Sequence, residues 1–156
     1  MEQSSKTGSG HEQEQVDPKG PLVFLDTSVI LAFLQGDSSA AELFSAESQG
    51  RIRFAVNPIV LQELLLTADL AGEPEFGRIR EHLRVLPVDF SKAEALIPAI
   101  RDLRNRIVHS NDVLILSSAY ECDFLVTKDS LLEKVASTGK PKILTPEEFA
   151  THLRAA

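Results

Sequence analysis

This sequence predicts an α/β domain in which parallel strands are joined by crossover helices. Three observations point there. Short runs rich in Val, Ile, Leu and Phe alternate with longer stretches of helical period. The starts of those stretches carry capping signals. A chain of 156 residues with 43% apolar and 25% charged residues suits one packed core of ordinary size.

In chain order, residues 1–20 read MEQSSKTGSGHEQEQVDPKG, with Val16 the only apolar residue after the first Met. So little apolar surface cannot offset the entropy of ordering, and a disordered tail is expected ahead of a domain spanning 21–156. Strands are expected at Leu22–Leu25, Arg53–Val56, Leu86–Val88, Phe124–Thr127 and Lys142–Leu144. The first helix resumes the apolar run from Val29 to Leu34. Ser39 with Glu42, Ser91 with Glu94, and Thr145 with Glu148 have capping-box spacing, while Asn57-Pro58 supplies an N-cap followed by a Pro at the first helical position. Apolar faces follow at Leu61, Leu64 and Leu65, and at Val113, Leu116 and Ala119. No repeat of solenoid period is present.

Charge and composition narrow the function. Sixteen Lys and Arg against 23 Asp and Glu give a net charge of −7, which argues against coating nucleic acid by bulk charge but leaves room for a local basic strip. The acidic excess belongs mainly to the domain, since the tail sets Lys6 and Lys19 against Glu2, Glu12, Glu14 and Asp17. One cysteine, Cys122, excludes an internal disulfide and a Cys-rich zinc site and fits a reducing compartment. No apolar run approaches the roughly 18 residues that span a bilayer, and no secretory signal opens the chain, so a soluble cytoplasmic protein is expected.

Four acids carry the chemistry. Asp26 ends the first strand in Leu25-Asp26-Thr27-Ser28, at the carboxyl edge where open α/β sheets bind ligands. Glu63 lies about two turns into a leucine-rich helix whose start a right-handed crossover brings to the same edge. Asp112 stands at the beginning of a helix behind Ser110 and Asn111, and Asp129 follows the fourth strand in Thr127-Lys128-Asp129. Each has an ordinary explanation: Asp26 and Asp129 as helix caps, Glu63 as a surface residue of good helix propensity, Asp112 as an acid at the positive end of a helix dipole. Their convergence on one rim has none. At about 5 Å apart, each ionised pair would repel by about 3 kcal/mol at an effective dielectric of about 20. Such crowding calls for a cation, and oxygen-only ligation selects Mg²⁺ or Mn²⁺ over Zn²⁺. A pair of these ions suits phosphodiester hydrolysis, one activating water and the other stabilising the leaving oxygen.

The order Leu25-Asp26-Thr27-Ser28-Val29, Glu63 in its leucine-rich helix, Asn111-Asp112-Val113-Leu114-Ile115 and Leu125-Val126-Thr127-Lys128-Asp129 resembles the PIN domain family over Leu22 to about Phe149. The resemblance implies a three-layer α/β/α sandwich around a mainly parallel sheet of about five strands. It implies a Mg²⁺- or Mn²⁺-dependent ribonuclease with metal ligands at Asp26, Glu63, Asp112 and Asp129, leaving a 5′-phosphate and a 3′-hydroxyl. Thr27 or Ser28 and Thr127 would support the site through hydroxyl hydrogen bonds. The compact length is similar to VapC-type toxins, which implies an antitoxin partner and a homodimer. The chain departs from many members in two ways: Ser130, Leu131 and Leu132 stand where a further acid or Asn is common, and a tail precedes Pro21.

Arg101, Arg104 and Arg106 could bind RNA phosphates beside the acids, since guanidinium matches phosphate geometry; a solvated helical face paired with Asp102 explains them equally well. The group Arg78, Arg80 and Arg84 fits a solvated face better. His109 has no assigned role, and His82 and His152 are expected in helical segments without ligand spacing. Other enzymes fit poorly. A haloacid-dehalogenase-like phosphotransferase needs Asp where Ser28 stands, and no Gly-rich phosphate loop ending in Lys-Ser or Lys-Thr occurs. The remaining alternatives are a PIN-like module that binds RNA or protein without cutting, and an RNA-processing nuclease that is not a toxin.

Overall fold

Leu22–Leu25 is buried along its whole length, as befits a strand covered on both faces. The computed structural model describes residues 20–67, 74–101, 110–129 and 141–156. The expected tail lies outside these residues except for Gly20. In chain order the elements are β1 (Leu22–Leu25), α1 (Thr27–Leu34), α2 (Ser38–Ser48), β2 (Arg53–Val56), α3 (Pro58–Thr67), α4 (Pro74–Glu81), β3 (Leu83–Val85), α5 (Phe90–Arg101), α6 (Ser110–Ala119), β4 (Phe124–Val126), β5 (Lys142–Leu144) and α7 (Pro146–Ala155). The five strands form one sheet in the order β3-β2-β1-β4-β5, and every neighbouring pair is parallel.

Register explains the layers. Phe54 and Phe124 both pair with Val23 and so share its face of the sheet. On that face Phe54 meets Phe44 of α2, and Phe124 meets Phe149 of α7, each in edge-to-face contact. Helix α2 packs on both α1 and α7. The return from β3 across the sheet to β4 runs through α5 and α6, which pack on each other, and a right-handed crossover puts them on the opposite face. Both faces are therefore covered, and Phe24, Leu25, Phe54, Leu125 and Phe149 are among the largest fully buried side chains.

The third strand lies three residues earlier than the apolar run Leu86–Val88 suggests. The ladder runs Phe54↔Leu83, Ala55↔Arg84 and Val56↔Val85. Leu86 still donates its amide to the Val56 carbonyl at 2.8 Å, but Pro87 has no N–H with which to continue. An edge strand needs only one well-buried residue, here Leu83, so its apolar signal is weak. β4 likewise ends at Val126, although the Thr127 amide still donates to Leu144.

Several helix starts shift by one or two residues. Asp37, not Ser39, caps α2 by accepting from the Ala40 amide, and Asp89, not Ser91, accepts from Lys92 at the start of α5. A carboxylate two residues before the expected position outcompetes the hydroxyl as acceptor. Asn57 caps α3 as expected, accepting from the Ile59 and Val60 amides, and Thr145 with Glu148 forms the full capping box of α7. Gly36 and Gly50 end α1 and α2 at φ 88° and 71°, the left-handed conformation that favours glycine. Among the described residues no helix is long and apolar enough to cross a membrane.

Candidate active site

The carboxyl ends of β1 and β4, neighbours at the centre of the sheet, deliver Asp26 and Thr127 side by side. Asp26 is 7% exposed and caps α1. One oxygen, Oδ1, accepts the Thr27 amide at 2.8 Å; the other, Oδ2, accepts the hydroxyls of Thr127 at 2.7 Å and Ser28 at 3.1 Å. The expected capping role and a place in the acidic rim are thus one arrangement. Burial pushes the Asp26 carboxyl above the ordinary carboxylate range; hydrogen bonds from Thr127, Ser28 and the Thr27 amide pull it back, and the Asp112 carboxylate pushes it up further.

Glu63 projects from α3 into the same network. Its Oε2 accepts the Thr27 hydroxyl at 2.5 Å, and its Oε1 accepts the Asn111 side-chain amide at 3.0 Å. It is half-buried rather than a free surface residue. Asn111 is neither a cap nor idle: α6 begins at Ser110, so Asn111 sits inside the first turn and holds Glu63, a partnership invisible to local sequence reading. The next residue, Asp112, is half-buried and close enough for Asp26 to feel its charge. Asp129, also half-buried, donates its amide to Thr127 Oγ1 at 3.0 Å, so Thr127 joins the Asp26 carboxylate to the Asp129 backbone.

Helices α3 and α6, which carry Glu63 and Asp112, are pinned together by Asn57. While its oxygen caps α3, its amide donates to the Leu114 carbonyl at 3.1 Å and to Ser118 Oγ at 3.0 Å, and it is fully buried. Arg101 is the last residue of α5; Arg104, Arg106 and His109 lie outside the described residues. His82 follows α4 and pairs with Glu47, away from the rim, and Cys122 is buried with its thiol pushed up to about 12 by burial first and by Asp123 and Glu121 second. Neither supplies a nucleophile or ligand to the acids.

Among the described residues the acids at the rim offer a metal only oxygen donors, a set that fits a hard divalent cation. The Asp26 and Glu63 carboxylates face hydroxyl and amide partners, and among the described residues no three Asp, Glu, His or Cys side chains form a group that could hold a metal ion. The fit thus rests on donor chemistry and on the electrostatic cost of Asp26 beside Asp112.

Comparison with known proteins agrees with this architecture. The family model of the PIN domain matches residues 23–137. Three solved structures are similar in fold. VapBC2 from Rickettsia felis, bound to a DNA fragment from its promoter, is 18% identical with a TM-score of 0.58, covering 80% of this chain and 98% of that one. VapBC from Salmonella typhimurium, bound to DNA, is 20% identical with a TM-score of 0.56, covering 81% and 98%. A toxin–antitoxin complex from Klebsiella pneumoniae is 16% identical with a TM-score of 0.55, covering 80% and 97%. No curated protein matches by sequence.

Proposed function

Because the chain belongs to the PIN domain family, we propose that it is a metal-dependent endoribonuclease and the toxin of a toxin–antitoxin pair. The observation that carries the reading is the continuous network Ser28–Asp26–Thr127 and Thr27–Glu63–Asn111 at the carboxyl rim, with the Asp112 charge acting on Asp26. Asp26, Glu63, Asp112 and Asp129 would hold Mg²⁺ or Mn²⁺. When bound, such an ion neutralises charge on the scissile phosphate and lowers the pKa of water.

The chain's own residues prepare that site. Buried Asp26 bears a desolvation cost that a cation would offset, while Thr127, Ser28 and the Thr27 amide fix the direction of both its oxygens. Thr27 and Asn111 grip Glu63 from two elements, so α1 and α6 orient an acid on α3. Arg101, Arg104 and Arg106 are assigned to phosphates flanking the cut. The toxin assignment, with an antitoxin as partner, is supported by the likeness in fold to toxin–antitoxin complexes. A homodimer belongs to the same reading and is read by light scattering.

The test compares wild type with Asp26→Asn and Asp112→Asn on single-stranded and structured RNA, in Mg²⁺, Mn²⁺ and chelator. Cleavage by wild type, lost in both variants and in chelator, is expected, with products carrying a 5′-phosphate. Cleavage that survives both substitutions rejects the assigned acids. Tight RNA binding without any cutting favours the non-cleaving module.

A further inference from the structure

Lys128 is a cation threaded into the acidic network by its own backbone. Its amide donates to Ser28 Oγ at 3.2 Å, and that hydroxyl donates to Asp26 at 3.1 Å. The residue before it, Thr127, binds Asp26, and the residue after it is Asp129. Its ammonium, however, turns to a different partner, Asp37 Oδ2, at 3.4 Å. The Lys128 side chain is 42% exposed and that of Asp37 27%.

Those values decide what the pair can do. An ion pair this long and this open to water adds little stability. Nor does α2 need it, because Asp37 caps the helix through its other oxygen, Oδ1. Asp37 nevertheless stays ionised: the Ala40 amide first, and then the Lys128 ammonium against an opposing effect of burial, hold its carboxyl below the ordinary range. The pair is therefore a weakly held positive charge beside a rim of negative ones. An RNA strand approaching that rim meets repulsion from the acids unless a cation flanks them, and an ammonium on a long unbranched stem binds phosphate as a mobile point charge.

We propose that Lys128 is a substrate-binding residue that takes a phosphate of the RNA strand, and that Asp37 holds its ammonium until RNA arrives. This rests on the ribonuclease reading above. Asp37 then acts as a competitor: it lowers affinity for RNA by the fraction of time it retains the ammonium.

The test uses a fluorescein-labelled single-stranded oligouridylate, with binding followed by anisotropy in chelator and cleavage followed in Mg²⁺, both across a salt series. Lys128→Gln should weaken binding roughly 5- to 10-fold and reduce the slope of log affinity against log salt by about 0.7, the value of one single-strand phosphate contact. Lys128→Arg should keep the slope. Asp37→Asn, which preserves the cap, should tighten binding roughly threefold, and that gain should vanish in the Lys128→Gln background. In cleavage the Lys128→Gln effect should fall on KM more than on kcat. A wild type that binds or cuts RNA while Lys128→Gln leaves the salt slope unchanged overturns the role of Lys128 alone. A gain from Asp37→Asn that persists without Lys128 overturns the competition. Failure of wild type to bind or cut any RNA removes the ribonuclease reading and this proposal together.

Discussion

Asp26 carries two obligations that pull against each other. As the cap of α1 it must sit deep in the rim; as a proposed metal ligand it must be ionised there. Its raised pKa means that the folded chain holds the proton more tightly than the unfolded chain. The protonated form therefore contributes stability below the ordinary carboxylate range, and that contribution is lost as pH rises through the folded value. Asn imitates the protonated acid. Metal-free Asp26→Asn should accordingly melt above wild type at neutral pH, with the difference shrinking as pH falls through the raised folded value and gone below about 4. Thermal melts across pH check this, and a variant less stable than wild type at pH 7 would contradict the dominance of burial. Thr127 predicts differently. Thr127→Val removes one donor to Asp26 and the acceptor of the Asp129 amide, so it should cost about 1–3 kcal/mol in denaturant unfolding and lower turnover about 10- to 100-fold. At this scale the acids could be named from their places beside strand ends and helix starts. The side-chain partners could not: Asn111 and Glu63 are separated by 48 positions, and no local pattern joins them.

At the scale of elements, the site depends on how α3 and α6 stand to each other, and Asn57 sets that relation. Its four hydrogen bonds cap one helix and fasten two carbonyl or hydroxyl oxygens, of Leu114 and Ser118, on or near the other. Asn57→Ala should therefore cost about 2–4 kcal/mol, the loss of a cap plus unsatisfied buried groups, measured by urea unfolding. Asn57→Asp keeps the cap oxygen and should lie between wild type and Ala; an Ala variant within about 0.5 kcal/mol of wild type would deny the tie. Element types were legible because periodicity and caps are local properties. Asn57-Pro58 and the Thr145–Glu148 box were readable for that reason. β3 was misplaced because the apolar run Leu86-Pro87-Val88 looks more like a strand than Leu83-Arg84-Val85 does. At a sheet edge half the strand faces water, and only the ladder with β2 tells where pairing occurs. The caps Asp37 and Asp89 were missed because two neighbouring acceptors compete within one turn, and backbone geometry decides between them.

For the whole molecule, periodicity gave parallel strands but not their order, since the step from β3 across to β4 is a matter of tertiary packing. That step creates the site. It sets β1 beside β4, so Asp26 and Thr127 meet although 101 positions separate them, and it brings α6 with Asp112 to the rim where α3 already holds Glu63. A fold assembled in this way concentrates negative charge at one pole of a chain whose net charge is already −7. The metal-free protein should therefore be less stable than it becomes with its ion. Anything that binds only the folded state stabilises by mass action, by about 2.7 kcal/mol when present at about 100 times its dissociation constant. Mn²⁺ or Mg²⁺ should raise the melting temperature of wild type in a concentration-dependent way, and chelator should reverse it. The same titration on Asp26→Asn or Asp112→Asn should give a much smaller shift, while Glu42→Gln, an exposed acid bonded to Arg154 on α7, should respond as wild type does. Equal shifts in all four proteins would mean that the ion binds elsewhere or only screens charge. A shift confined to chains with both rim acids would make the network at the carboxyl edge a metal site independently of any RNA.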